Sequence, residues 1–146
     1  MPISAWTYIS FPGSTRAAMT FYQQVFGGEL SLHPYGEFAL EGMPFQPDPG
    51  SIAHSTLEAG QLRIAAGDDP GSQPGPLPAG PVSLLVSPGS VAEAKRLIDR
   101  LTANGGQVEM PFAVAPWGGW YGQVRDRYGV LWAFDAEEET GDEAGA

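Results

Sequence analysis

The chain has 146 residues, no cysteine and a formal net charge of −10. That length suits one domain or two small modules sharing a core, and the missing cysteines close off disulfides, thiolate nucleophiles and Cys-based metal sites. No apolar run approaches the ~18 residues of a membrane span, and seven scattered basic residues give nucleic acid no electrostatic footprint, so neither partner is expected.

The opening Met1-Pro2-Ile3-Ser4-Ala5-Trp6 lacks the basic region and long apolar stretch of a secretory signal, and a cytoplasmic location is the expectation. Ala5 to Phe11 reads as a strand carrying Trp6, Tyr8, Ile9 and Phe11. A helix is predicted over 14–26, with Ser14 as N-cap, Gly27-Gly28 as stop, and Ala18, Tyr22, Val25 and Phe26 on one face. Strands are predicted over 29–32, 51–57 and 62–66. The Gly- and Pro-rich stretch 42–50 interrupts them, and its Met43 and Phe45 make it either a plain loop or a flap over a pocket or dimer contact.

Residues 67–80 hold too many prolines and glycines for a helix or a central strand and read as a linker. The pattern then starts again. A strand is predicted over 82–86, and a helix from Ser90 to Asn104 with a Ser90/Glu93 capping box and Gly105-Gly106 as stop. Ala94, Leu97, Ile98 and Leu101 recur at helical spacing, with Lys95, Arg96, Asp99 and Arg100 on the wet side. Strands follow over 107–114, 121–125 and 130–134, and residues 136–146 read as a solvated acidic tail. Gly13-Ser14 through Gly28-Glu29 echoes Gly89-Ser90 through Gly106-Gln107, which points to duplication. The expected fold class is therefore α+β: a first βαβββ module over 1–66, a linker over 67–80, a second module over 81–135 and a tail over 136–146. The two modules are expected to curl into one eight-stranded mixed sheet, an open barrel-like cleft with the helices outside. Exposed sheet edges are commonly managed by pairing, so a homodimer is expected.

Paired units of this kind resemble the vicinal oxygen chelate superfamily, which includes glyoxalase, bleomycin-resistance proteins and extradiol dioxygenases. Met19-Thr20-Phe21-Tyr22 through Gly28, Ala53-His54-Ser55-Thr56-Leu57, Trp117-Gly118-Gly119-Trp120-Tyr121-Gly122, and Asp126-Arg127-Tyr128-Gly129 through Trp132 are similar to its PhnB-like branch, labelled 3-demethylubiquinone 3-methyltransferase. The resemblance spans Ile3 to Phe134 and implies the same fold and a homodimer. The methyltransferase label is not matched by a cofactor cradle, because no predicted strand leads through Gly-x-Gly-x-x-Gly into a helix. Metal-dependent members take His and Glu ligands from the first, fourth, fifth and eighth strands. The resemblance puts Thr7, Ala65 or Ala66, Pro81 or Val82, and Ala133 at those positions. None carries the imidazole or carboxylate such an ion needs, so no metal and no cofactor are expected.

His54 is the candidate catalytic residue. It is either a core histidine or a general base or ligand donor on the concave face of the sheet. His33, before Pro34, reads as an exposed edge residue. Trp117, Trp120 and Tyr121 form a Gly-flanked aromatic turn suited to stacking a flat or apolar ligand, or simply a packed turn. Asp126 is expected to hold the turn before the last strand, with Gly129 at positive φ, and Trp132 to fill the core beneath the second helix. Glu58 with Arg63, and Glu109 with Arg125, read as solvated or cross-strand pairs.

The leading functional expectation is a metal-free protein that binds a small, flat molecule through His54, Trp117, Trp120 and Tyr121. A second is an enzyme on a small carbonyl or aromatic metabolite, metal-independent and using His54 or, as the lesser alternative, metal-dependent and glyoxalase-like. A third is a scaffold or regulatory dimer without a ligand. The fold alone does not choose among them.

Overall fold

The computed structural model describes residues 2–39, 41, 42, 44 and 46–137. Met43 and Phe45 of the expected flap, and the tail from 138 onward, lie outside the described residues. The chain divides into two compact units, Met1–Pro76 and Leu77–Ala146.

In the first unit β1 (Thr7–Phe11) leads into α1 (Thr15–Phe26), followed by β2 (Glu29–Pro34), a short 3-10 turn over Tyr35–Glu37, β3 (Ile52–Ala59) and β4 (Leu62–Asp68). The strands pair in the order β1-β4-β3-β2, with β1 parallel to β4 and the other neighbours antiparallel. The second unit repeats this with β5 (Leu84–Val86), α2 (Val91–Thr102), β6 (Gln107–Val114), β7 (Trp120–Arg125) and β8 (Leu131–Ala136), ordered β5-β8-β7-β6 with β5 parallel to β8. Two βαβββ units with one strand order are what the internal echo leads one to expect of a duplication, and the class is α+β. The eight strands form two four-stranded sheets, neither closed on itself.

Each helix covers one face of its own sheet. In the first unit Ala18, Met19, Phe21, Tyr22 and Val25 of α1 are buried, facing Ile9, Phe11, Leu57, Ile64 and Ala66 of the strands. Strand side chains alternate, so the paired residues Tyr8, Ala65, Thr56 and Ser31 lie on the opposite face. Close to α1 the chain turns at Gly28, where φ is +93° and a Cβ would collide with the Glu58 carbonyl. In the second unit Val91, Ala94, Leu97, Ile98 and Leu101 of α2 pack towards Val124, Trp132 and Phe134.

Four local readings need correction. Ser14 makes no side-chain cap on α1; the Thr15 N–H instead donates to Asp68 Oδ1 at 2.9 Å. Asp68 thus lies in β4, not in a linker, and its Oδ2 accepts from the Ile52 N–H at 2.9 Å. The capping box of α2 is half formed: the Glu93 N–H donates to Ser90 Oγ at 3.1 Å, while the Glu93 carboxylate turns to Arg96 at 2.6 and 3.0 Å. Ala136, read as tail, ends β8 opposite Trp120.

Asp126 is 3% exposed. Its Oδ1 accepts from the Tyr128 and Val130 N–H groups and its Oδ2 from the Trp132 indole N–H at 2.9 Å. Gly129 follows at φ +90°. The Asp126 turn and the fully buried Trp132 therefore form a single network. Glu58 faces Arg63 across β3 and β4 at 3.8 Å, and Glu109 accepts from Arg125 at 2.9 Å, both as cross-strand pairs.

Candidate functional site

His54 is exposed, on the face of the first sheet turned away from α1, so it is not a core histidine. The β2–β3 register sets His33 directly opposite it. The two imidazoles lie nearly parallel, with centroids 6.4 Å apart and planes 13° apart. On the other side the Tyr8 ring stacks on His54 at 5.8 Å and 17°, with the phenol oxygen 3.4 Å from His54 Nδ1. A row of three rings, Tyr8, His54 and His33, thus stands on this face.

Register alone would aim Tyr8 at Ala65, one pair of residues away from His54. The ring reaches His54 because Gly67 leaves the intervening place empty: a Cβ at Gly67 would lie 2.8 Å from the Tyr8 hydroxyl and 2.8 Å from the Ala53 carbonyl oxygen. At the far end, His33 Nδ1 lies 3.8 Å from a Glu37 carboxylate oxygen, brought there by the 3-10 turn. Desolvation, and secondarily the neighbouring Tyr35, push the Tyr8 phenol above its ordinary pKa, so it stays protonated at neutral pH. Tyr8 is the site residue that sequence reasoning passed over. Its signal was the period-two alternation of β1, which puts it opposite Ile9.

In the second unit the predicted aromatic turn is a hairpin between β6 and β7, closed by the Ala115 N–H donating to the Gly119 carbonyl at 2.6 Å. Trp117 at its tip is 70% exposed. Adjacent strand positions point to opposite faces, which separates Trp120 from Tyr121. Trp120 packs on Phe112 at 5.3 Å and lies under Lys95 of α2, whose Nζ is 4.9 Å from the ring centroid. Tyr121 meets Trp117 edge-on at 5.8 Å and accepts a hydrogen bond from Gln123 Nε2 at 2.8 Å. Trp117 and Trp120 help line a pocket of about 490 Å³ together with Ser87, Gly89, Asp135 and Glu137; Tyr121 does not line it. Parallel pairing of β5 with β8 brings Ser87 beside Asp135, and Ser87 Oγ donates to Asp135 Oδ1 at 2.5 Å. Sequence reasoning missed Ser87 and Asp135 because the parallel pairing joins residues 48 apart.

The family's metal positions do not suit an ion. Ala65, Ala66 and Ala133 are buried methyl groups, Thr7 offers a single hydroxyl, and Pro81 and Val82, expected in the fifth strand, precede β5 and carry no donor side chain. Among the described residues no three His, Asp or Glu side chains gather where they could hold one. Nor is any helix among the described residues long and apolar enough to cross a membrane.

A family model described as the Glyoxalase/Bleomycin resistance protein/Dioxygenase superfamily matches residues 8–134. Protein YjdN of Escherichia coli is 32% identical over an alignment covering 95% of this chain and 97% of that protein. Among solved structures, protein PA1353 from Pseudomonas aeruginosa is 31% identical with a TM-score of 0.78, covering 94% of this chain and all of that one. A PhnB protein from Bacillus cereus, described as a candidate 3-demethylubiquinone-9 3-methyltransferase, shares the fold at 20% identity and a TM-score of 0.66, covering 92% of this chain and 99% of that one.

Proposed function

Because the chain belongs to the glyoxalase/bleomycin resistance protein/dioxygenase superfamily, we propose that it is a metal-independent protein that binds a small, oxygen-bearing molecule through His54. The observation that carries this reading is the exposed row Tyr8–His54–His33, which places titratable and hydrogen-bonding ring edges on a sheet face instead of in the core. In the tautomer in which the Tyr8 hydroxyl donates to Nδ1, the His54 Nε2–H is left to donate to a carbonyl, carboxylate or phenolic oxygen. The parallel rings beside it form flat walls for an aromatic ligand. Trp117 and Trp120, which line the pocket of the second unit, are assigned as ligand contacts there, while Tyr121, outside that lining, is assigned to support Trp117 through their edge-on contact. The working assembly is a homodimer, since β2 and β6 leave edges unpaired within their own units and β6 exposes Val108, Met110 and Val114.

The phenol–imidazole contact also favours a second reading, a metal-independent enzyme in which His54 acts as acid or base on a small carbonyl or aromatic metabolite and Tyr8 relays the proton. One experiment separates the two. Thermal unfolding of the purified protein is scanned against a panel of carbonyl and aromatic metabolites and antibiotics, and each hit is titrated calorimetrically and assayed for consumption. A binder gives saturable heat without turnover, and His54→Ala weakens binding at least tenfold while the melting temperature stays within about 2 °C. Turnover that disappears in His54→Ala establishes the enzyme. Hits that bind His54→Ala as well as they bind the native chain would remove the site from this face.

A further inference from the structure

The pocket of the second unit has a chemistry of its own. Its volume, about 490 Å³, is that of a small-molecule site. Two indoles and two carboxylates line it, from Trp117, Trp120, Asp135 and Glu137, and no Lys, Arg or His does. Ser87 holds one Asp135 oxygen at 2.5 Å and so fixes the orientation of the carboxylate. The other oxygen has no partner among the described residues.

Charges of both signs bear on this space. Pro88 and Gly89 bring the N-terminus of α2 to the pocket wall, and a helix N-terminus carries roughly half a positive charge. Two carboxylates in the lining outweigh it, and Ser90 and Glu93 already occupy the first turn of α2. The local field therefore favours a cation. The Trp120 ring already carries one cation, since the Lys95 ammonium lies 4.9 Å from its centroid; Lys95 does not line the pocket, so its charge offsets the two carboxylates only in part, and a ligand meets the part of the indole that the pocket exposes. Trp117, 70% exposed at the hairpin tip, is placed to supply a second aromatic face.

We propose that this pocket binds an organic cation, an alkylammonium or quaternary ammonium group, held between the Trp117 and Trp120 rings with Asp135 and Glu137 as counter-charges. An aromatic wall lowers the cost of desolvating a diffuse ammonium charge, and the carboxylates select it over a neutral molecule of the same shape. The site uses none of the residues of the His54 row; it names a ligand class for Trp117 and Trp120 and rests on their assignment above as ligand contacts of the second unit.

The test uses choline and its neutral isostere 3,3-dimethylbutan-1-ol, which differ in charge but hardly in shape. Each is titrated into the full chain while the indole N–H signals of the four tryptophans are followed by NMR. Choline is expected to move Trp117 and Trp120 saturably and to leave Trp6 and Trp132 in place, with the isostere at least tenfold weaker. Trp117→Ala is expected to weaken choline at least tenfold and Asp135→Asn about fivefold, with the dispersed spectrum of the folded chain retained in both. Raising the salt from about 50 to 500 mM is expected to weaken choline several-fold and to leave the isostere unchanged. Equal binding of the two probes would make the pocket merely apolar, tighter binding of acetate would assign it to the helix N-terminus, and no saturable shift would empty it; each outcome overturns the proposal. Because the signal comes from the second unit's indoles, failure here leaves the His54 reading standing.

Discussion

Asp126 shows how much one side chain can hold. A buried carboxylate that accepts from two backbone N–H groups and an indole leaves three donors unsatisfied when it is removed. Asp126→Ala is expected to cost about 3–5 kcal/mol in urea unfolding, and Asp126→Asn less, since the amide retains one acceptor oxygen. The turn was legible in the sequence because the backbone bonds span two and four residues, whereas the bond to Trp132 required the β8 strand to be in place. Tyr8 is the opposite case, a residue whose role comes from Gly67, far away in the chain. Its folded pKa is raised, so its contribution to stability is present below the unfolded value of about 10 and is lost as pH rises through the folded one. Tyr8→Phe is expected to flatten the fall in the urea midpoint between about pH 9 and 11, and Gly67→Ala to displace the phenol from His54 and move the NMR signals of the Tyr8 and His54 rings.

At the scale of elements, the two helices look alike in sequence and start by different means. Ser90 caps α2, and Ser90→Ala should cost about 1 kcal/mol, near the middle of the range for a lost cap. Ser14 makes no such bond, and Ser14→Ala is expected to fall within about 0.5 kcal/mol of the native chain. The cap of α1 comes from β4, so Asp68→Ala should cost about 1–2 kcal/mol, since it frees the N–H groups of both Thr15 and Ile52. Chemical unfolding of the three variants is expected to rank Asp68→Ala as the most destabilising and Ser14→Ala as the least. Helix and strand positions were readable because spacings of 3.6 and 2 residues are local properties of the chain. The substitute cap was not, since Asp68 follows Thr15 by 53 residues and only the parallel pairing of β1 with β4 brings them together. The same limit applies to Trp117, Trp120 and Tyr121. Their clustering was visible as a motif, yet the alternation of β7 sends two of them to opposite faces, and only Trp117 and Trp120 line the pocket.

For the whole molecule, the donor set at the family's metal positions leads to a simple expectation. A chelator should leave the melting temperature within about 1 °C, and nickel, manganese or zinc should not raise it, as thermal scans would show. Sedimentation at micromolar concentration is expected to give a dimer, and a monomer at all concentrations would refute that assignment. Limited proteolysis should cut first within the exposed Pro- and Gly-rich residues 70–76, which form no helix or strand. What the sequence by itself determined is the repeated βαβββ pattern, the faces of the helices and the Asp126 turn. These follow from local spacing and residue chemistry. Only the tertiary structure decided that His54 stands outside the core between Tyr8 and His33, that Asp68 caps α1, and that Ser87 and Asp135 meet beside two indoles. Each of these depends on strand pairing between distant residues, and pairing register is a property of the folded sheet, which no short stretch of chain contains.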